Sequence, residues 1–270
     1  GVPQDQSRDC IQLNEQASQK QFGLSHRELI RMVYADVARH AAEKNWPPRV
    51  YYLLDEPRPE YGNVEPAIEL TKLFTQAAPG TLFSGYYSLG GGREPLFETM
   101  PVSIAHFNSK AAELTRRSGK QLWDYDGNRA RHNIGRWAFK ASKHGLNGYL
   151  RNGYMYVCCN PYFDFSEDEG SWACVYPSKR GINATVGWER TGQGAADFAY
   201  MEMLEGLIAK ARKSGRGLAQ AVAAEDYLRR TLEPIDLDNR GSADLKPDAW
   251  DTFKSTLAGH IVSLRKALGE

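Results

Sequence analysis

No window of this sequence approaches the ~20 consecutive apolar residues that a membrane helix requires. The first residues, Gly1 to Cys10, are polar and hold no hydrophobic signal-peptide segment. The chain as given is therefore expected neither to span a membrane nor to carry an export signal. An excess of one charge is also missing: 34 Lys+Arg against 33 Asp+Glu leave a formal +1, which argues against a dedicated nucleic-acid binder. The four cysteines, Cys10, Cys158, Cys159 and Cys174, form no C-x-x-C or Cys/His spacing, and the six histidines form no H-E-x-x-H. Neither a metal nor another cofactor is expected. A bridge from Cys174 to Cys158 or Cys159 stays open, the simpler reading being small buried hydrophobes. The run Gly90-Gly91-Gly92 lacks the Lys-Ser/Thr of a phosphate loop and reads as a turn. Internal repeats and low-complexity segments are absent.

What remains is an ordinary globular composition over 270 residues, with 41% hydrophobic and 11% aromatic residues, enough for one large core or two modest ones. Residues 1–24 show no clean period and read as an irregular lead-in. Ser25-His26-Arg27-Glu28 fits a capping box, and the apolar spacing from Leu29 to Ala41 predicts a helix to about Lys44, stopped by Pro47-Pro48. RVYYLLDEP, a continuous run of β-formers, predicts a strand buried on both faces. Further strands are expected near 82–87, 102–107, 121–125 and 148–151, with helices near 65–76, 109–118 and 130–144 between them. Short apolar strands alternating with helices indicate right-handed βαβ units and a parallel sheet. From Tyr154 to Trp188 the pattern turns to short β-like pieces. Helices then follow at 195–213, 218–232 and 247–268.

In a parallel βα array the chemistry gathers at the carboxyl ends of the strands. Asp55 and Glu56 stand at that end of VYYLLDEP. Two adjacent carboxylates against an apolar strand repel each other and are expected to be partly desolvated, which raises at least one pKa and keeps an acid protonated near neutrality. The plainer reading is a strand-end pair with one member salt-bridged to Arg58. Other strand ends carry Tyr86 and Tyr87, His106 with Asn108, Trp123 with Asp124 and Tyr125, and Asn152 with Tyr154. Aromatic faces stack on sugar C–H faces while amides and carboxylates take hydroxyls, so together they indicate a carbohydrate cleft.

The segments YYLLDEP, KQLWDY, GLNGYLRNGY, EGSWACVYP and VGWERTGQGAADFAYMEML occur in this order between about Phe22 and Lys213. With the paired DEP and Gly194, Asp197, Tyr200 and Leu204, they resemble the catalytic domain of glycoside hydrolase family 123 and the related domain of unknown function 4091. The resemblance implies a (β/α)8 TIM-type barrel that cleaves β-linked N-acetylgalactosamine, using the substrate's acetamido group as nucleophile. It implies Glu56 as acid and base, Asp55 orienting the acetamido group, and Trp123 and Tyr125 in the subsite wall beside Tyr86, His106, Asn108 and Asn152. Glu189 and Arg190 read as an ion-pair brace.

Only five or so βα strands can be counted where a closed barrel needs eight. The expected fold is thus α/β of barrel type with its last five or so units, over residues 25–215, and a helical extension over 216–270. The expected partner is a glycan or glycoconjugate, with self-association or pairing with a missing N-terminal region also compatible. Secretion or a periplasmic location follows if the full-length protein has a signal peptide. Two alternatives stand beside this reading: a glycosidase on another sugar that pairs Glu56 with a second carboxylate such as Asp124, and a non-catalytic carbohydrate-binding protein.

Overall fold

The computed structural model describes residues 15–47, 49–126, 134–151 and 175–270. All four cysteines, Asn152 and Tyr154 lie outside these residues, and with them the disulfide reading. The chain divides into two compact units, 1–103 and 104–270. Five strands, β1 (Val50–Asp55), β2 (Leu82–Tyr86), β3 (Val102–Ala105), β4 (Gln121–Asp126) and β5 (Leu146–Arg151), form one sheet in the order β1-β2-β3-β4-β5. The β1–β2 and β4–β5 pairs are parallel. The expected α/β fold with a parallel sheet is therefore present.

In the first unit, α1 (Glu15–Phe22) and α2 (His26–Glu43) precede β1, α3 (Val64–Ala77) joins β1 to β2, and α4 (Glu94–Thr99) follows β2. The segment expected to be an irregular lead-in thus contains a helix. The Ser25–Glu28 capping box forms as its sequence predicts: the Ser25 side chain accepts from the Glu28 backbone while the Glu28 carboxylate accepts from Ser25 N–H at 2.8 Å. Tyr34 of α2, Phe74 of α3 and Phe83 of β2 meet edge to face, with ring centroids 4.4–5.7 Å apart, and Tyr51 of β1 lies 6.0 Å from Phe83. Such pairs add about 0.5–1.5 kcal/mol each beyond the area they bury. The strand predicted to be buried on both faces is not: β1 ends the strand order, only Leu54 is fully buried, and Tyr52 is 55% exposed. Tyr51 packs towards Phe83 on one face, while on the other Tyr52 stays exposed although its partner Ser84 is buried.

In the second unit, α5 (Ser109–Arg117) joins β3 to β4 and α6 (Ile134–Ser142) joins β4 to β5. A hairpin of β6 (Val175–Ser178) and β7 (Gly181–Ala184) leads into α7 (Val186–Ser214), followed by α8 (Leu218–Leu232) and α9 (Pro247–Leu268). The helix α7 begins at Val186 and not at Ala195, because the Thr185 hydroxyl caps it by accepting from Trp188 N–H at 3.0 Å. No break falls at 215. Met201, Leu204 and Ile208 of α7 share one core with Ala224 and Leu228 of α8 and Leu257, Ile261 and Leu264 of α9.

The polar connector between α8 and α9 is held by α6. The buried Arg136 guanidinium donates to Ala243 O at 2.9 Å and to Thr231 O, Trp137 Nε1 donates to Leu237 O at 3.0 Å, and Lys140 Nζ donates to Ile235 O at 2.6 Å. On the other side of α6, Gly135 meets α7 so closely that a Cβ there would lie 2.1 Å from Gly194 O. Gly135→Ala should therefore force the helices apart and cost roughly 1–3 kcal/mol. Gly206→Ala, at an exposed point of α7 with nothing within 4 Å, should gain about 0.5–1 kcal/mol from helix propensity. Urea denaturation of both variants checks this; equal midpoints would contradict the close crossing.

Candidate active site

Asp55, Glu56 and Tyr86 belong to the first unit; His106, Asn108, Trp123 and Tyr125 belong to the second.

Asp55 is the last residue of β1 and pairs in register with Tyr86 of β2. Its Oδ1 accepts from Tyr52 Oη at 2.7 Å. Glu56 follows with φ +40°, a left-handed conformation that is rare outside glycine. Its N–H continues the ladder by donating to Tyr86 O at 2.9 Å. Arg58 Nη2 donates to Glu56 Oε2 at 2.6 Å, with both side chains about 40% exposed. The ion pair of the plainer reading is therefore present, and at this exposure solvent screens it and it adds little to stability. Asp55 and Glu56 are both exposed, so the burial expected of the pair is absent. Tyr87, also at this strand end, is fully buried, donates to Leu96 O at 3.1 Å and pairs with Ser103 Oγ at 2.6 Å. Burial pushes its phenol above the ordinary value, and its place is the core.

In the second unit His106 is exposed and meets Tyr125 edge to face at 5.6 Å. Trp123 and Tyr125, two apart on β4, share the face opposite buried Leu122 and Asp124. The Trp123 indole lies against Gly148, its register partner on β5, where a Cβ would fall 2.7 Å from the ring. These three retain the aromatic, partly open character expected of a sugar platform. Asn108 does not: its Oδ1 caps α5, accepting from Lys110 N at 3.0 Å and Ala111 N at 3.4 Å. Asp124 is wholly buried, and its Oδ1 accepts from Phe107 N at 2.7 Å. It holds backbone and faces away from Trp123 and Tyr125, which removes the motive for making it a second catalytic carboxylate.

Glu189 and Arg190 line a cavity of about 550 Å³ together with Trp250, Asp251 and Lys254 of α9. Among the described residues no three His, Cys, Asp or Glu side chains gather into a possible metal site, and no helix is long and apolar enough to cross a membrane. No protein-family model matches the chain, and no curated protein or solved structure is significantly similar to it.

The G-x-x-D-x-x-Y-x-x-x-L stretch has structural duties in this unit. Gly194 sets its carbonyl oxygen against Gly135, Leu204 fills the core and Tyr200 is exposed. Asp197 is 4% exposed, with Lys254 Nζ 3.7 Å from its Oδ1. Burial pushes its carboxyl up, while Lys254 and then Arg136 oppose the shift. A raised folded-state pKa favours folding fully below the unfolded value near 3.8, and that gain is lost as pH rises through the raised value. Ionised Asp197 is then a net cost at neutral pH. Asp197→Asn is expected to raise the thermal midpoint at pH 7, with the gain disappearing below about pH 4. A lower midpoint at pH 7 would show that the Lys254 pairing outweighs burial.

Proposed function

We propose that this chain bears the catalytic pair of a retaining glycoside hydrolase that cleaves a β-linked N-acetylhexosamine, with N-acetylgalactosamine favoured. The observation that carries the reading is Glu56: a non-glycine residue in left-handed backbone, at the carboxyl end of a parallel strand, directly after a second carboxylate. Strain of this kind costs of order 1–3 kcal/mol and clusters at functional sites. The motif resemblance supplies the sugar class, and five parallel strands with intervening helices are compatible with part of a (β/α)8 barrel completed by further βα units.

The chemistry assigns the two carboxylates different work. The carbonyl oxygen of the substrate's 2-acetamido group attacks C1 as the C1–O bond to the leaving group breaks. Glu56 gives its proton to that departing oxygen. Asp55 accepts from the acetamido N–H and offsets the positive charge of the resulting oxazolinium. Water then adds to C1, giving its proton to Glu56 and reopening the ring, which regenerates the acetamido group with net retention. Neighbouring carboxylates suit this route because the nucleophile belongs to the substrate; an enzymic nucleophile would need a carboxylate about 5–5.5 Å across the sugar from the acid. The Arg58–Glu56 pair must open before Glu56 can act as acid, and its exposure keeps that step inexpensive.

Glu56→Gln should lower kcat on an aryl β-N-acetylgalactosaminide by about 10²–10⁴-fold, the usual worth of a general acid–base group. Circular dichroism should be unchanged, since Glu56 is exposed. Turnover by the variant at the wild-type rate, or an inactive wild type on 2-acetamido glycosides, would refute the assignment.

A further inference from the structure

We propose that Tyr52 is the positioning residue of Asp55, aimed at it by a bulge in β1; this rests on the glycosidase reading above. Residues three apart on a regular strand face opposite ways, so Tyr52 and Asp55 ought not to meet. The register explains why they do. Tyr52 pairs with Ser84 but Leu54 pairs with Gly85, leaving Leu53 as an extra residue in β1. A bulge of this kind shifts the alternation by one and re-aims every side chain beyond it. Tyr51 and Leu54 then share the face of Phe83 and Gly85, where Tyr51 stands 6.0 Å from Phe83 and a Cβ on Gly85 would lie 2.9 Å from Leu54 Cβ. Tyr52 and Asp55 share the other face with Ser84 and Tyr86, and Tyr52 Oη reaches Asp55 Oδ1 at 2.7 Å.

The phenol engages Oδ1, which leaves Oδ2 to accept from the substrate's acetamido N–H in the proposed reaction. Its hydrogen bond fixes the carboxylate plane while leaving the full negative charge in place to face the oxazolinium. A cation in the same position would cancel that charge. Arg58 pairs with the other carboxylate, Glu56, and this exposed pair must open before Glu56 can give a proton. Tyr52 is more than half exposed, so its side chain stands at the surface beside Asp55.

The test is a double-mutant cycle on an aryl β-N-acetylgalactosaminide. Tyr52→Phe should lower kcat about 10–100-fold, as expected when a reacting group loses its orientation, with KM within about twofold and the thermal midpoint unchanged. In the Asp55→Asn background the same change should add no further loss, because Tyr52 acts through Asp55. An active wild type whose Tyr52→Phe variant keeps its kcat, or a loss that adds fully to that of Asp55→Asn, overturns the role of Tyr52 and leaves the glycosidase reading standing. A wild type with no turnover defeats that reading and the role of Tyr52 with it.

Discussion

The second unit depends on one buried cation. Arg136 is 6% exposed, and a guanidinium in that position is tolerable only with acceptors around it. It finds them in two backbone carbonyls, Thr231 O at the end of α8 and Ala243 O near the start of α9. Burial pulls the guanidinium down from its ordinary value, while Tyr227 and Asp197 hold it up. The two carbonyls bracket the connector, so these two hydrogen bonds hold both ends of a mostly polar segment, while the buried Arg136 Nε has no partner. Trp137 and Lys140 of the same helix pin the middle, and Asp238 accepts from Ser109 N at 2.9 Å at the start of α5. An apolar side chain at 136 would orphan those carbonyls, at a cost of about 1–3 kcal/mol for each one left buried and unpaired. The helices α8 and α9 join their unit through the apolar core they share with α7, and the connector between them is held by these polar pairings.

The first unit is governed by parity. A strand has two faces, and each residue added or removed exchanges them. Leu53 is such an addition, and it separates a helix-packed face bearing Tyr51 and Leu54 from an open face bearing Tyr52 and Asp55. The chain then leaves the strand through Glu56 in left-handed backbone. The Glu56 N–H to Tyr86 O bond offsets part of the strain by keeping that donor paired.

These two constraints explain which features were legible in the sequence. The Ser25–Glu28 box, the five strands and the helices α3, α5 and α6 are local or periodic signals that the structure follows, whereas the short α4 was not expected. The stripe Met201, Leu204 and Ile208 is another such signal. The position of Asp55 and Glu56 at a strand end followed from the same periodicity. The edge character of β1 did not, because an apolar run looks the same whether or not a neighbour lies beyond it. Nor did the start of α7, where Gly187, Gly192 and Gly194 dilute the helical signal that Thr185 initiates. Asn108 was indistinguishable from a sugar ligand by type, since its oxygen suits a helix cap as well as a hydroxyl. Tyr52 could not be found at all: Y-x-x-D on a strand reads as opposite faces until a bulge is known.

The same local geometry resolves a difficulty in giving two adjacent carboxylates separate roles. On a regular strand, successive side chains point to opposite faces, and one of the pair would be turned into the packed layer. The bulge sets Asp55 on the open face, and the left-handed turn at Glu56 redirects the backbone before the next side chain must choose a face. Both carboxylates are then exposed without either being drawn into the core. Their direction comes from the backbone, with a neutral donor on one and an exposed cation on the other. Opening the Arg58 pair would not release Glu56 from its position, because the ladder bond to Tyr86 O holds the backbone and the exposed side-chain pair does not.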